Sequence, residues 1–384
     1  MFPEFTEWVR EFVALRRDLH AHPELAFQEH RTSDIVAKKL QEFGVDAIHR
    51  GMGLTGIVAT IHGKQSGNNK AIALRADMDA LPIFEETQLP YASTVPGVMH
   101  ACGHDGHTAS LLLAAKYLAT HRNFSGTVYL IFQPAEENGG GANIMIRDGL
   151  FDKFPVTSVW GLHNWPQIPL GATLVKSGPM LAAVDDFTIM ITGRGGHAAY
   201  PQYTNNPLTI GAHLTLALQD IPTGDAVLTI TCFHVGSANN VVDQQARLQG
   251  TIRTHDPKVQ DMLHAKINEV CQSIAENFRA VIDVDIQRDY PAVINTETET
   301  EIAAAVLAGY LPKESIIRDF PPSMGSEDFA YMLQKNPGCF IGMGTGKTNN
   351  DPGLHDPRFD FNDEVLPIAA TYWIKLVEAN LPPT

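Results

Sequence analysis

Thiol, imidazole and carboxylate side chains of the kind that hold metal ions gather in four short motifs. HACGHDGH at 100–107 puts Cys102 two residues from His104. QPAEEN at 133–138 offers the adjacent carboxylates Glu136 and Glu137 directly after the apolar run GTVYLIF. GLHNW at 161–165 delivers His163, and the glycine-bearing GLHDP at 353–357 delivers His355. A soft sulfur, three imidazoles and a carboxylate make a donor set for two transition metals if one ligand bridges them. Taken singly, each has a plainer explanation: cysteine is often a small buried residue, histidine often hydrogen-bonds near a core, and two glutamates can be solvated loop charge. The position of Glu136 and Glu137 after an almost wholly apolar strand weighs against that last account. Neighbours at a strand end point in different directions, so one can ligate while the other faces a metal-bound water.

These motifs need elements to hold them, and the hydrophobic pattern supplies an alternation. Helical periodicity places Phe5, Trp8, Val9, Phe12, Leu15 and Leu19 on one side of residues 5–19, and a second amphipathic helix covers 29–43, ending at Gly44. Strands are expected near 54–61, 70–76, 126–134 and 157–163, with helices at 106–120 and 140–148. Strand–helix alternation of this kind predicts a mostly parallel sheet covered by helices, whose sites lie at strand ends. From about residue 184 the texture changes to a β-α-β-β-α-β order: strands at 185–192, 226–233, 246–254 and 281–290, and helices at 205–219 and 256–278. That order fits a small two-layer domain with an antiparallel sheet. After Pro291 the first style returns, with helices near 298–309, 326–335 and 363–381 and a strand at CFIGMG. The reading is therefore a discontinuous catalytic body, residues 1–184 and 293–384, with an inserted domain at 185–292.

Composition narrows the function classes. The chain has 384 residues, 28 Lys plus Arg against 43 Asp plus Glu, and a net charge of -15, with no basic stripe, which argues against nucleic acid as a partner. Neither the N-terminal segment nor any later window resembles a signal peptide or reaches the roughly 18 apolar residues of a membrane span, so a cytoplasmic protein that avoids membranes is expected. Its four cysteines, at 102, 232, 271 and 339, form no CxxC pair.

Two glycine motifs do not support nucleotide binding. GMGLTG at 51–56 runs into a strand pattern rather than a helix, and GMGTGKT at 342–348 has Ile341 where a phosphate loop requires glycine. Both read as turns.

RADMDALP at 75–82, HACGHDGH, QPAEE with the following GGGA, GLHNWP, TGRGGHAAYPQ at 192–202, SANNVV followed by GTIRT, MGSEDFA at 324–330 and GLHDPRFDFND stand in order along almost the whole chain. Together they resemble the M20 metallopeptidase family, in particular its aminoacylase-like amidohydrolase branch, which includes hippurate hydrolases and plant auxin-conjugate hydrolases. The resemblance implies an α/β fold: an aminopeptidase-like three-layer catalytic domain and an inserted two-layer α+β ferredoxin-like lid, often used for dimerisation. It implies two divalent ions per subunit, manganese or zinc, with cobalt or nickel as alternatives. Cys102 would bridge them; Glu137 and His355 would complete one site, His104 and His163 the other. Asp77 resembles a residue that orients a ligand, and Arg75 stands where other branches place a ligand histidine.

By the same resemblance Glu136 is the general base and then the general acid, and His197 reaches into the site of a partner subunit of a homodimer to meet the oxyanion. Asn240 resembles a lid residue that approaches substrate, although NNVVDQ lacks the proline usual there. Arg253 suits recognition of the product-side carboxylate or a structural ion pair. The activity implied is hydrolysis of small N-acyl-L-amino acids to a carboxylate and a free amino acid. N-acetyldiaminopimelate deacetylation and dipeptidase or carboxypeptidase action make the same demand at the carbonyl. A catalytically silent binder would have no use for a base beside a two-metal donor set.

Overall fold

A computed structural model describes residues 2–64, 70–348 and 350–383, so Met1 and Thr384, the ends of the expected catalytic body, lie outside it. The chain forms an α/β fold of two compact units, one inserted in the other. The first comprises Met1–Met180, Ile294–Pro321 and Asp328–Thr384; the second Leu181–Val293 and Pro322–Glu327.

Among the described residues of the first unit, eight strands make one sheet. Their order is Ala47–Met52, Gly56–His62, Thr127–Gln133, Ala71–Asp77, Ser158–Pro169, Gly338–Gly346, Thr173–Leu174 and Ile316–Ile317. The four strands from Thr127–Gln133 to Gly338–Gly346 run parallel. Every residue of Ala71–Asp77 is buried, as expected of a strand covered on both faces. One group of packed helices contains Phe5–Ala21, His30–Phe43, His104–His121, Glu297–Ala308 and Leu366–Asn380; a second contains Gly141–Arg147, Leu150–Lys153 and Ala330–Leu333. Helix His104–His121 is buried along nearly its whole length, its leucines and alanines filling the main core.

The second unit carries a four-stranded antiparallel sheet in the order Val227–His234, Gln245–Thr254, Ala183–Thr192, Val281–Arg288. Helices Pro207–Gln219 and Pro257–Phe278 bury Ile210, Leu214, Leu263 and Ile267 against it. Both helices begin with proline at the first turn, and Asn206 and Asp256 cap them by accepting the backbone N–H of Leu208 and Lys258.

Four sequence expectations change. The segment Pro322–Glu327 packs with the second unit because Ala182 N–H is shared by the carbonyls of Ser323 (3.1 Å) and Gly325 (2.9 Å), while His255 Nε2 donates to Ser323 O at 2.8 Å. The helix expected at 326–335 is only Ala330–Leu333, because the flanking residues pair as turns, Tyr331 N–H with Asp328 O and Lys335 N–H with Met332 O, rather than continuing the helical ladder. An unexpected strand, Ala47–Met52, pairs antiparallel with Gly56–His62. It is an outer strand, largely exposed, and so has no apolar signature to read. GMGLTG is the tight turn of that hairpin, with Gly53 and Leu54 both at positive φ, whereas much of GMGTGKT lies in strand Gly338–Gly346 rather than in a turn. No helix among the described residues is long and apolar enough to cross a membrane.

Candidate metal centre

Three loops that follow parallel strands, and one strand itself, bring the donor residues together. Ala71–Asp77 is followed by Asp79, Thr127–Gln133 by Glu136 and Glu137, and Gly338–Gly346 by the loop bearing His355. His163 lies within Ser158–Pro169, just beyond the last residues paired with Ala71–Asp77. Cys102 and His104 flank Gly103, which precedes helix His104–His121 with φ +91°. A Cβ on Gly103 would lie 2.3 Å from Asn164 Oδ1, so both the backbone angle and the space select glycine between two donors.

The donors form two triads that share a sulfur. Ligating atoms of Cys102, His104 and His163 lie within 4.8 Å of one another, and so do those of Cys102, Glu137 and His355. A third group at the same spacing joins His104, Glu136 and Glu137, which puts the carboxylate expected to act as base beside both triads. Cys102 Sγ is 3.3 Å from His163 Nε2, and His355 Nε2 is 3.4 Å from Glu137 Oε1.

Partners on the far side of each ring fix the direction of the lone pairs. His163 Nδ1 donates to Asn164 O at 2.8 Å, leaving Nε2 to face Cys102. His104 Nδ1 lies 3.2 Å from Asp79 Oδ1, and Asp79 Oδ2 accepts the Glu137 N–H at 2.9 Å. Asp79 therefore contacts one residue from each triad, as a partner that orients ligands does. Asp77, expected to orient a ligand, accepts from His107 Nδ1 at 2.6 Å and from Arg75 Nη1 at 2.7 Å, and its Oδ2 is 3.9 Å from His104 Nε2. Arg75 also reaches Asp328 at 3.1 Å, so it is tied into a carboxylate network where a ligand histidine could stand.

The donor set fits metal ions on its own evidence. His104 Nε2 and Glu137 Oε1 are buried without a hydrogen-bond partner, and each such atom costs about 1–3 kcal/mol unless something binds it. Burial opposes a charge on His104, but Asp77, Asp79 and Glu137 outweigh it and raise its pKa to about 10. Burial, reinforced by Glu137 and Glu136, raises the Cys102 thiol. A concentration of negative charge around soft and borderline donors is the environment a divalent cation relieves. Ala135, immediately before Glu136, has φ +54°, a conformation that costs a non-glycine residue on the order of 1–3 kcal/mol.

The other expected residues belong to the second unit. His197, on the short strand Gly196–His197, pairs with Val241, and Ala198 N–H donates to Asn240 O at 3.0 Å, so His197 and Asn240 share one exposed ribbon. Ala199 N–H donates to His197 Nδ1 at 3.1 Å, which leaves Nε2 to carry the ring proton. Arg253 is half-buried on strand Gln245–Thr254, bonded to Thr251 Oγ1 and to Ile252 O. Asp79, His107 and Asn164 were not among the expected residues; the second aspartate of RADMDALP points to Asp79 and the HDGH spacing to His107, while the place of Asn164 next to His163 is its one signal.

Residues 73–379 match the model of peptidase family M20/M25/M40. The chain belongs to that family. Within M20 it falls in the aminoacylase-like amidohydrolase branch and is a metal-dependent amidohydrolase. It is 38% identical over 382 residues to hippurate hydrolase of Campylobacter jejuni, with 98% of each chain covered. It is 38% identical over 371 residues to N-acetylcysteine deacetylase of Bacillus subtilis, with 95% of each covered. Among solved structures, a dinuclear metal-binding M20 peptidase from Bacillus subtilis, YxeP, superposes with a TM-score of 0.86 at 35% identity, covering 99% of this chain and 100% of the other.

Behind the centre lies a buried polar cluster. Asp105, the residue after His104, accepts from His20 Nδ1 at 2.9 Å and from Arg16 Nη1 at 3.4 Å, and Arg16 Nε donates to Asp363 at 2.7 Å. Burial opposes protonation of His20, but bonds to Asp105 and Glu85 prevail and lift its pKa to about 9. That is above the roughly 6.5 of an unfolded histidine, so its stabilising contribution is complete below that pH and fades as pH rises through about 9. The melting temperature is accordingly expected to fall between pH 6.5 and 10 more steeply in the natural chain than in His20→Gln; equal slopes would contradict this.

Proposed function

We propose that the chain hydrolyses the amide bond of N-acyl-L-amino acids, hippurate-like or N-acetylated, releasing a carboxylate and a free amino acid. The observation that carries this reading is the pair of triads sharing Cys102 with the Glu136 carboxylate alongside. Two divalent ions held by Cys102, His104, His163, Glu137 and His355, manganese or zinc, would acidify a water and polarise the amide carbonyl. Glu136 is 6% exposed, and the Asp328 N–H lies 3.4 Å from its Oε1, which restrains the carboxylate. It takes the proton of the attacking water and delivers it to the departing amine, because an amide nitrogen leaves only when protonated. Asp79 keeps His104 and Glu137 aligned throughout.

His197 is proposed as the oxyanion donor in a homodimer, Asn240 as a residue that approaches the substrate, Arg253 as a contact to the product-side carboxylate, and Asp77 as a residue that orients a ligand. The relatives named hippurate hydrolase and N-acetylcysteine deacetylase support an acylated amino acid as the substrate class.

The test is amine release from hippurate, N-acetyl amino acids, N-acetyldiaminopimelate and dipeptides, before and after chelation and with manganese or zinc restored. Loss of activity on chelation and recovery with metal, fastest for hippurate or a simple N-acetyl amino acid, is the expected result. Undiminished turnover in the chelated protein contradicts the metal assignment, and preference for a dipeptide or N-acetyldiaminopimelate redirects the substrate.

A further inference from the structure

Glu29 is fully buried at the start of helix His30–Phe43, yet its side chain does not cap that helix. Glu24 does so instead, accepting the N–H groups of Arg31 at 2.9 Å and Thr32 at 2.8 Å. The Glu29 carboxylate is directed elsewhere: Oε1 accepts the Ala135 N–H at 2.9 Å and Oε2 accepts the Thr55 hydroxyl at 2.6 Å. Ala135 is the residue held at positive φ immediately before Glu136 and Glu137. Its carbonyl is held as well, by Gly141 N–H at 3.0 Å, and a Cβ on Gly141 would lie 1.8 Å from Pro134 O, so the turn closes tightly on itself.

The segment that carries Glu29 is anchored at the same site: Ala80 N–H donates to Glu24 O at 2.8 Å, one residue beyond Asp79. A buried carboxylate is costly, and it is placed where the backbone is held in an unfavourable conformation. We infer that Glu29 is a positioning residue, which by accepting the Ala135 N–H fixes the turn that aims the carboxylates of Glu136 and Glu137. This rests on the assignment of Glu136 as base. Glu29 touches no reacting group; it acts through Ala135, and a displacement of about 1 Å at a reacting carboxylate costs on the order of a hundredfold in rate.

Four variants of the metal-loaded enzyme test this. Glu29→Ala is expected to lower kcat by about a hundredfold with KM within about threefold and both ions retained. Glu29→Gln keeps an acceptor oxygen in place and should stay within about threefold of the natural kcat, whereas Glu29→Asp keeps the charge but withdraws the oxygen and should lose about tenfold. Adding Ala135→Gly to Glu29→Ala should restore kcat by about tenfold, because glycine adopts positive φ without an anchor. If Glu29→Ala does not fold, the Gln and Asp variants decide. A Glu29→Asp enzyme with natural kcat, or a Glu29→Gln enzyme as impaired as Glu29→Ala, overturns the inference. Glu136→Gln in the same assay separates the two readings. Normal turnover there removes the base assignment; an inactive Glu136→Gln beside fully active Glu29→Ala and Glu29→Asp enzymes removes only the role of Glu29.

Discussion

Glu136→Gln is expected to abolish most turnover while leaving the metal centre loaded. The amide keeps the shape of the carboxylate but accepts no proton, so both the activation of water and the protonation of the leaving amine fail. General acid–base catalysis supplies about 10²–10⁴-fold, equivalent to roughly 3–5 kcal/mol of barrier, and kcat should fall by that amount with KM nearly constant. Because Glu136 is not a member of either Cys102 triad, two ions per chain should remain by elemental analysis. A variant that turns over normally removes Glu136 from the chemistry, and one that has lost its ions makes it a ligand instead.

The second large effect is expected at Cys102. Its sulfur belongs to both triads, while His163 belongs to one. Cys102→Ala should therefore weaken the binding of both ions, by more than the roughly 10–100-fold typical of losing a mere ligand partner, whereas His163→Ala should weaken chiefly one. Cys102→Asp offers two oxygens in place of one sulfur and should recover two-ion binding. Equilibrium metal titration reads all three; a Cys102→Ala protein that binds two ions with natural affinity would show that no ligand is shared.

The donor residues were legible in the sequence because cysteine, histidine and paired glutamates after apolar strands are rare combinations, and the strands that deliver them announce themselves by burial. The residues that aim them were not. Arg16 sits in FVALRRDLH as if it were surface charge, and only the folded chain places it, fully buried, against Asp105 and Asp363. Glu29 looks like a helix cap until Glu24 is seen to do that work. Asp77 and Asp79 are two residues apart on one extended segment, and which of them meets His104 depends on where the strand ends, a boundary the sequence locates only within a few residues. Ligand types are written in local motifs, whereas orientation depends on contacts between segments far apart in the chain.

The segment Pro322–Glu327 gives the second unit a property that its continuous span from Leu181 to Val293 conceals. A cassette can be cut out at two points and its ends rejoined. Here the host chain returns once more to lend six residues, whose carbonyls at Ser323 and Gly325 receive the Ala182 N–H. Excising the span would remove Ala182 and His255 and leave the carbonyls of Ser323 and Gly325 without these donors. Exchanging the unit with that of a relative therefore requires four joints to be matched rather than two.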